Sequence, residues 1–79
     1  MKFKNESELY KTIGQNIKFQ REEAALTQQQ LAEKAQISLS YLSKIEASGC
    51  EKSLSISVLN QLANALNVDI TEFFHREVF

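Results

Sequence analysis

The side chains able to do covalent or metal chemistry are few. The sequence has one cysteine, Cys50, and one histidine, His75. A lone cysteine makes no intrachain disulfide, and a single histidine beside it builds no zinc cage. A thiolate at Cys50 is disfavoured by its neighbour Glu51, since a nearby negative charge raises the cost of a second one. No Ser, His and Asp fall at a spacing that suggests a nucleophilic triad, and a chain of 79 residues has little room for an oxyanion hole. The residues read as non-catalytic, without metal or cofactor, and with no small-molecule ligand evident. What remains is hydrogen-bonding chemistry. The informative stretch is Thr27 to Glu46, TQQQLAEKAQISLSYLSKIE.

The elements that must position those donors are helical. There is no proline, glycine occurs only at Gly14 and Gly49, and no segment alternates with period two for long enough to claim a strand. The hydrophobic fraction of 43% supports a small globular fold. No apolar run is long enough to span a membrane, and the N-terminus has no signal-peptide core, so the expected compartment is the cytoplasm. Five helices are expected. The first is capped at Asn5 and carries Leu9, Ile13 and Ile17 to about Ala24 or Ala25. A second opens on the capping box Thr27-x-x-Gln30 and ends by Ala35. Ser38 caps a third with Leu42 and Ile45. A loop at about 47–54 leads to a fourth with Ile56, Leu59, Leu62, Ala63 and Leu66. Asp69-Ile70-Thr71-Glu72 reads as a second capping box, opening a short fifth helix through Phe73 and Phe74. The expected divisions are an arm at 1–7, a domain at 8–74 and a tail at 75–79.

Only Gln36 and Ile37 separate the second helix from the third, which forces the pair into contact. Two short helices joined by so tight a turn form the helix-turn-helix unit. Its sterics ask for apolar Leu31, Ala35, Ile37, Leu42 and Ile45 and for a small residue, Ala32, where the helices cross. All six positions are filled accordingly.

With those residues in place, the sequence resembles the Xre-like helix-turn-helix regulators, the family of the phage Cro and repressor proteins. The resemblance runs from about Ile13 to Phe74. Its pieces are Ile13-Gly14-x-x-Ile17, Leu26-Thr27-Gln28-x-x-Leu31-Ala32, Ser40-Tyr41-Leu42-Ser43-Lys44-Ile45-Glu46, Leu62-Ala63-x-Ala65-Leu66-x-Val68 and Ile70-Thr71-Glu72-Phe73-Phe74. In size and layout the chain is similar to the controller proteins of restriction–modification systems. The resemblance implies an all-α, compact, phage-repressor-like domain that acts as a sequence-specific transcriptional regulator. Its partners would be double-stranded DNA and a second copy of itself, bound at an inverted-repeat operator. An antitoxin or another protein-interaction module, with DNA binding secondary, is the alternative.

Carried over residue by residue, the resemblance places Leu39, Ser40, Tyr41, Ser43 and Lys44 against base edges in the major groove. Lys44 suits guanine O6 and N7, and Leu39 suits a thymine methyl. Ser40 and Ser43 can donate or accept at a base or a phosphate. Tyr41 has a second role open to it, packing its ring on the helix pair, and Leu39 likewise can pack against protein. Thr27, Gln28, Ser48, Lys52 and Ser53 are expected near phosphates, although Gln28 is also an ordinary helix-start residue. Arg21 and Glu46 are expected as a partly buried structural ion pair. Ile70, Phe74, Val78 and Phe79 are expected at a dimer interface. Gln36 stands where the family usually has Gly in the turn, so the turn either keeps a left-handed residue at a cost of about 1–2 kcal/mol or is reshaped.

The net charge of −1 looks unsuited to nucleic acid, whose partners are usually basic. By segment it is uneven: residues 1–21 carry five basic and two acidic side chains, and residues 22–79 carry four basic and eight acidic. Lys2, Lys4, Lys11, Lys18 and Arg21 form the basic end. The expected consequence is few phosphate contacts and a shallow salt dependence.

Overall fold

The computed structural model describes residues 2–48 and 54–75. Lys52, Ser53, Cys50, Val78 and Phe79, and the side chain of Ser48, lie outside the described residues. Among the described residues there are four α-helices: α1 (Glu6–Glu23), α2 (Gln28–Ala35), α3 (Leu39–Ser48) and α4 (Ile56–Leu66). The expected fifth helix is instead a 3₁₀ segment, Ile70–Phe74. The capping box expected at its start does not form. The Asp69 carboxylate accepts from the Thr71 amide at 3.0 Å, two residues on, and not from the third amide as a capping box requires. Helix α1 starts at Glu6, inside the stretch expected as an arm.

Local sequence sets the helix starts. Asn5 accepts from the Glu8 amide at 2.8 Å, while the Glu8 carboxylate reaches back to the amide of Lys4. Thr27 and Gln30 form the reciprocal capping box at 3.0 and 2.8 Å. Ser38 accepts from Tyr41 and Ser55 from Val58. Each side chain satisfies an amide that the first turn leaves without a partner.

Helices α1, α2 and α4 end with one device. Ala25, Gln36 and Asn67 take positive φ of 58°, 60° and 57°, and none is glycine. After each, the next amide bonds back into the helix: Leu26 to Arg21 O at 3.1 Å, Ile37 to Ala32 O at 3.0 Å and Val68 to Ala63 O at 3.0 Å. This is the Schellman closure, which satisfies two late carbonyls and turns an apolar residue inward. Leu26, Ile37 and Val68 pack on the core accordingly. The turn between α2 and α3 therefore keeps its left-handed residue, and the reshaped alternative is set aside.

The core contains Ile13, Ile17, Leu31, Ala32, Ala35, Leu42, Ile45, Leu59, Leu62, Ala63, Leu66 and Phe73. Helix α1 packs against α3 and the 3₁₀ segment, and α2 packs against α3 and α4. Phe73 is fully buried, so the 3₁₀ segment closes the core floor. Ile56, expected on the buried stripe of α4, is 70% exposed; it is the first residue of the helix and projects beyond the packed turns.

Candidate nucleic-acid interface

The C-terminal turn of α1 positions the first side chain of the site. The Leu26 amide donates to the Arg21 carbonyl, and the Arg21 guanidinium returns a bond from Nη1 to the Leu26 carbonyl at 2.8 Å. Anchored to the Leu26 carbonyl, the guanidinium faces the end of α3. Arg21 Nε donates to Glu46 Oε2 at 2.8 Å and Nη2 to Glu46 Oε1 at 3.0 Å. The bidentate fork is the strongest geometry for this pair of groups. The Glu46 side chain is only 2% exposed. The hydrogen bonds to Glu46 hold the Arg21 guanidinium pKa above its already high ordinary value, against an opposing effect of burial.

A chain of hydrogen bonds then runs outward. Gln28, in the first turn of α2, donates from Nε2 to Glu46 Oε1 at 3.0 Å. Ser43, on α3, donates from Oγ to Gln28 Oε1 at 3.0 Å. Arg21, Gln28, Ser43 and Glu46, with Lys18 and Ala47, line an open cleft of about 260 Å³. One cleft thus joins the end of α1, the start of α2 and the middle of α3. Sequence reasoning placed Arg21 with Glu46 and placed Gln28 near a phosphate, but gave no sign that Gln28 links the ion pair to Ser43.

The remaining residues expected at base edges lie on α3. Leu39, Ser40 and Lys44 are exposed, and Ser43 is half-buried. Spaced by one, four and five residues from Leu39, they share one side of the helix; Leu42 and Ile45 are buried on the other, and Glu46, buried three residues after Ser43, lies where α3 borders the cleft. Leu39, at 44% exposure, is an apolar residue presented to solvent. Tyr41 is partly buried and packs against the core, which agrees with the packing role open to its ring. Thr27 is exposed, with its hydroxyl used by the Gln30 amide.

Ile70 and Phe74 are half-buried and packed on the edge of the core. Phe74 lines an apolar groove of about 220 Å³ with Leu9, Tyr10, Ile13, Leu54, Ile56 and Leu59. Asn16 is the residue that sequence reasoning missed. It lies in the apolar stripe of α1 at 2% exposure, and its side-chain amide donates to the carbonyls of Phe73, at 2.9 Å, and His75. The only hint was a polar residue between Ile13 and Ile17. Among the described residues no cluster of His, Cys, Asp and Glu is suited to a metal ion, and no helix is long and apolar enough to cross a membrane.

Comparison with known proteins bears on this arrangement. The family model described as Helix-turn-helix matches residues 17–73. An immunity repressor protein of Bacillus phage phi105 is 46% identical over 66 residues, which cover 84% of this chain and 44% of the phage protein. The chain therefore spans less than half the length of that relative. The restriction-modification controller protein C.AhdI from Aeromonas hydrophila superposes with a TM-score of 0.75 at 28% identity, over 82% of this chain and 96% of that one. A mutant of the controller protein C.Esp1396I gives 0.75 at 30% identity, over 84% and 83% of the two chains. A hypothetical transcription factor, NHTF from Neisseria, shares the fold, with a TM-score of 0.78 at 20% identity over 95% and 84%. With a match across most of its length and the α2–turn–α3 geometry in place, the chain belongs to the helix-turn-helix family, in the Xre-like group that its motifs resemble.

Proposed function

We propose that the protein is a DNA-binding transcriptional regulator that reads an inverted-repeat operator as a homodimer. The observation that carries the reading is the cleft in which Gln28 ties the Arg21–Glu46 pair to Ser43. It fixes the start of α2 against the side of α3 that exposes Leu39, Ser40 and Lys44. In this reading α3 enters the major groove, and the unpaired amides at the α2 N-terminus meet a phosphate. Lys18, in the same cleft, adds a cation toward the backbone. The relatives named as an immunity repressor and as controller proteins support a regulatory role over a catalytic one.

The partly exposed Ile70 and Phe74, and the exposed Ile56 that lines the apolar groove with Phe74, support the homodimer. A single unit of this kind contacts few base pairs, and two half-sites about one helical turn apart supply the missing specificity. Selection of bound sequences from a random duplex pool tests the reading. A paired motif with two-fold symmetry is the expected result, and failure to enrich any sequence contradicts it. Sedimentation showing only monomer at high micromolar concentration contradicts the dimer.

A further inference from the structure

Ser43 is able, by residue type, to donate or accept at a base or a phosphate. The hydrogen-bond chain behind it removes half of those choices. Glu46, ion-paired with Arg21, is a carboxylate and only accepts. The Gln28 side chain must therefore turn its NH₂ toward Glu46, because the reverse orientation would set a carbonyl oxygen against a carboxylate oxygen. That leaves Gln28 Oε1 facing Ser43 at 3.0 Å. A carbonyl oxygen accepts only, so the single Ser43 hydroxyl proton points inward to Gln28. The polarity of two side chains, Gln28 and Ser43, is set by one carboxylate that is itself almost fully buried.

We propose that Ser43 meets DNA as a hydrogen-bond acceptor, for the amino group of a base and not for the phosphate backbone. Phosphate oxygens carry no protons, so a hydroxyl whose proton is committed inward has nothing to offer them. In the major groove the donors are adenine N6 and cytosine N4, and the Ser43 lone pairs suit either. Gln28 keeps the complementary role. One Nε2 proton goes to Glu46, and the other is free for a phosphate oxygen. Two neighbouring residues, each ambiguous by type, are thus assigned to different parts of the nucleic acid.

The inference rests on the DNA-binding reading, and the test separates the two. A site enriched by the wild-type protein from a random duplex pool establishes that reading. Duplexes of that site are then made with purine in place of each adenine, or with the cytosine amino group removed, one position at a time. The expected result is one position per half-site at which wild-type affinity falls about five- to tenfold, the loss of one hydrogen bond, while Ser43→Ala is indifferent to the same change. The salt slope of Ser43→Ala should equal that of the wild type. Equal losses for both proteins at every position overturn the proposal, as does a Ser43→Ala variant with wild-type base preferences and a salt slope lower by about one phosphate contact. A wild type that enriches no sequence overturns this inference together with the regulator reading. Unchanged melting of Ser43→Ala excludes misfolding as the cause.

Discussion

Arg21 and Glu46, at the ends of α1 and α3, are joined by two hydrogen bonds of 2.8 and 3.0 Å, with the Glu46 side chain 2% exposed. The pair holds together the two helices that frame the cleft. Removing one partner strands the other charge in a site with little access to water. Glu46→Ala is expected to cost roughly 3–5 kcal/mol, read as a lower denaturant midpoint at unchanged m-value. Replacing both groups by apolar residues of similar size, Arg21→Met with Glu46→Leu, is expected to recover most of that stability, because no charge is then left unpaired. DNA binding should not recover with it, since Gln28 loses the carboxylate that orients it. A double variant as unstable as Glu46→Ala would show that the pair is not the clamp.

Asn16 ties α1 to the chain end through the carbonyls of Phe73 and His75. Asn16→Leu leaves both without their partner and is expected to destabilise by about 2–3 kcal/mol. The loss should be largest in the 3₁₀ segment, so hydrogen exchange of the Phe73 and Phe74 amides should quicken more than that of the α2 amides. Uniform acceleration across the fold would contradict the local role.

Ala25 and Gln36 hold φ near +60°, a region that Asn tolerates and that glycine enters without steric cost. Ala25→Gly and Gln36→Gly are each expected to stabilise the protein by about 0.5–1 kcal/mol. They lie at the ends of different helices, and their effects should add. Thermal melting of the single and double variants checks this, and a loss of stability in either single variant would refute it.

Asp69 accepts from both the amide and the hydroxyl of Thr71, at 3.0 and 2.8 Å. These bonds, the amide first, lower its pKa below the ordinary carboxylate value. The stabilisation is therefore present above the unfolded-state pKa and is lost as pH falls through the lower folded value. Thr71→Val removes the hydroxyl bond, and NMR titration should find the Asp69 pKa moved up toward normal. A pKa lower than in the wild type would contradict the assignment.

Much of this was legible in the sequence because it is local. Asn5, Thr27 and Ser38 cap helices with partners three residues away, and a cap is decided within its own turn. The apolar spacing through Leu31, Leu42, Leu59 and Leu62 identified the core for the same reason. Asn16 was not legible, since its partners lie 57 and 59 residues on and a polar residue beside an apolar stripe reads as surface. Ile56 fits the α4 periodicity but stands at the helix start, where packing gives out. Gln28 carried two readings, and only the meeting of α1, α2 and α3 shows its amide engaged with Glu46. For that reason Gln28→Ala should weaken DNA binding and also lower stability by about 1 kcal/mol, whereas Lys44→Ala, an exposed change on α3, should weaken binding with little change in melting.

The central claim is that the side of α3 bearing Leu39, Ser40, Ser43 and Lys44 reads DNA sequence. The most direct measurement is selection from a random duplex pool, run in parallel for the wild type and for Lys44→Ala. The account predicts a two-fold symmetric motif for the wild type, and a loss of preference for Lys44→Ala confined to one base pair in each half-site. The same motif from both proteins, or none from the wild type, would contradict it.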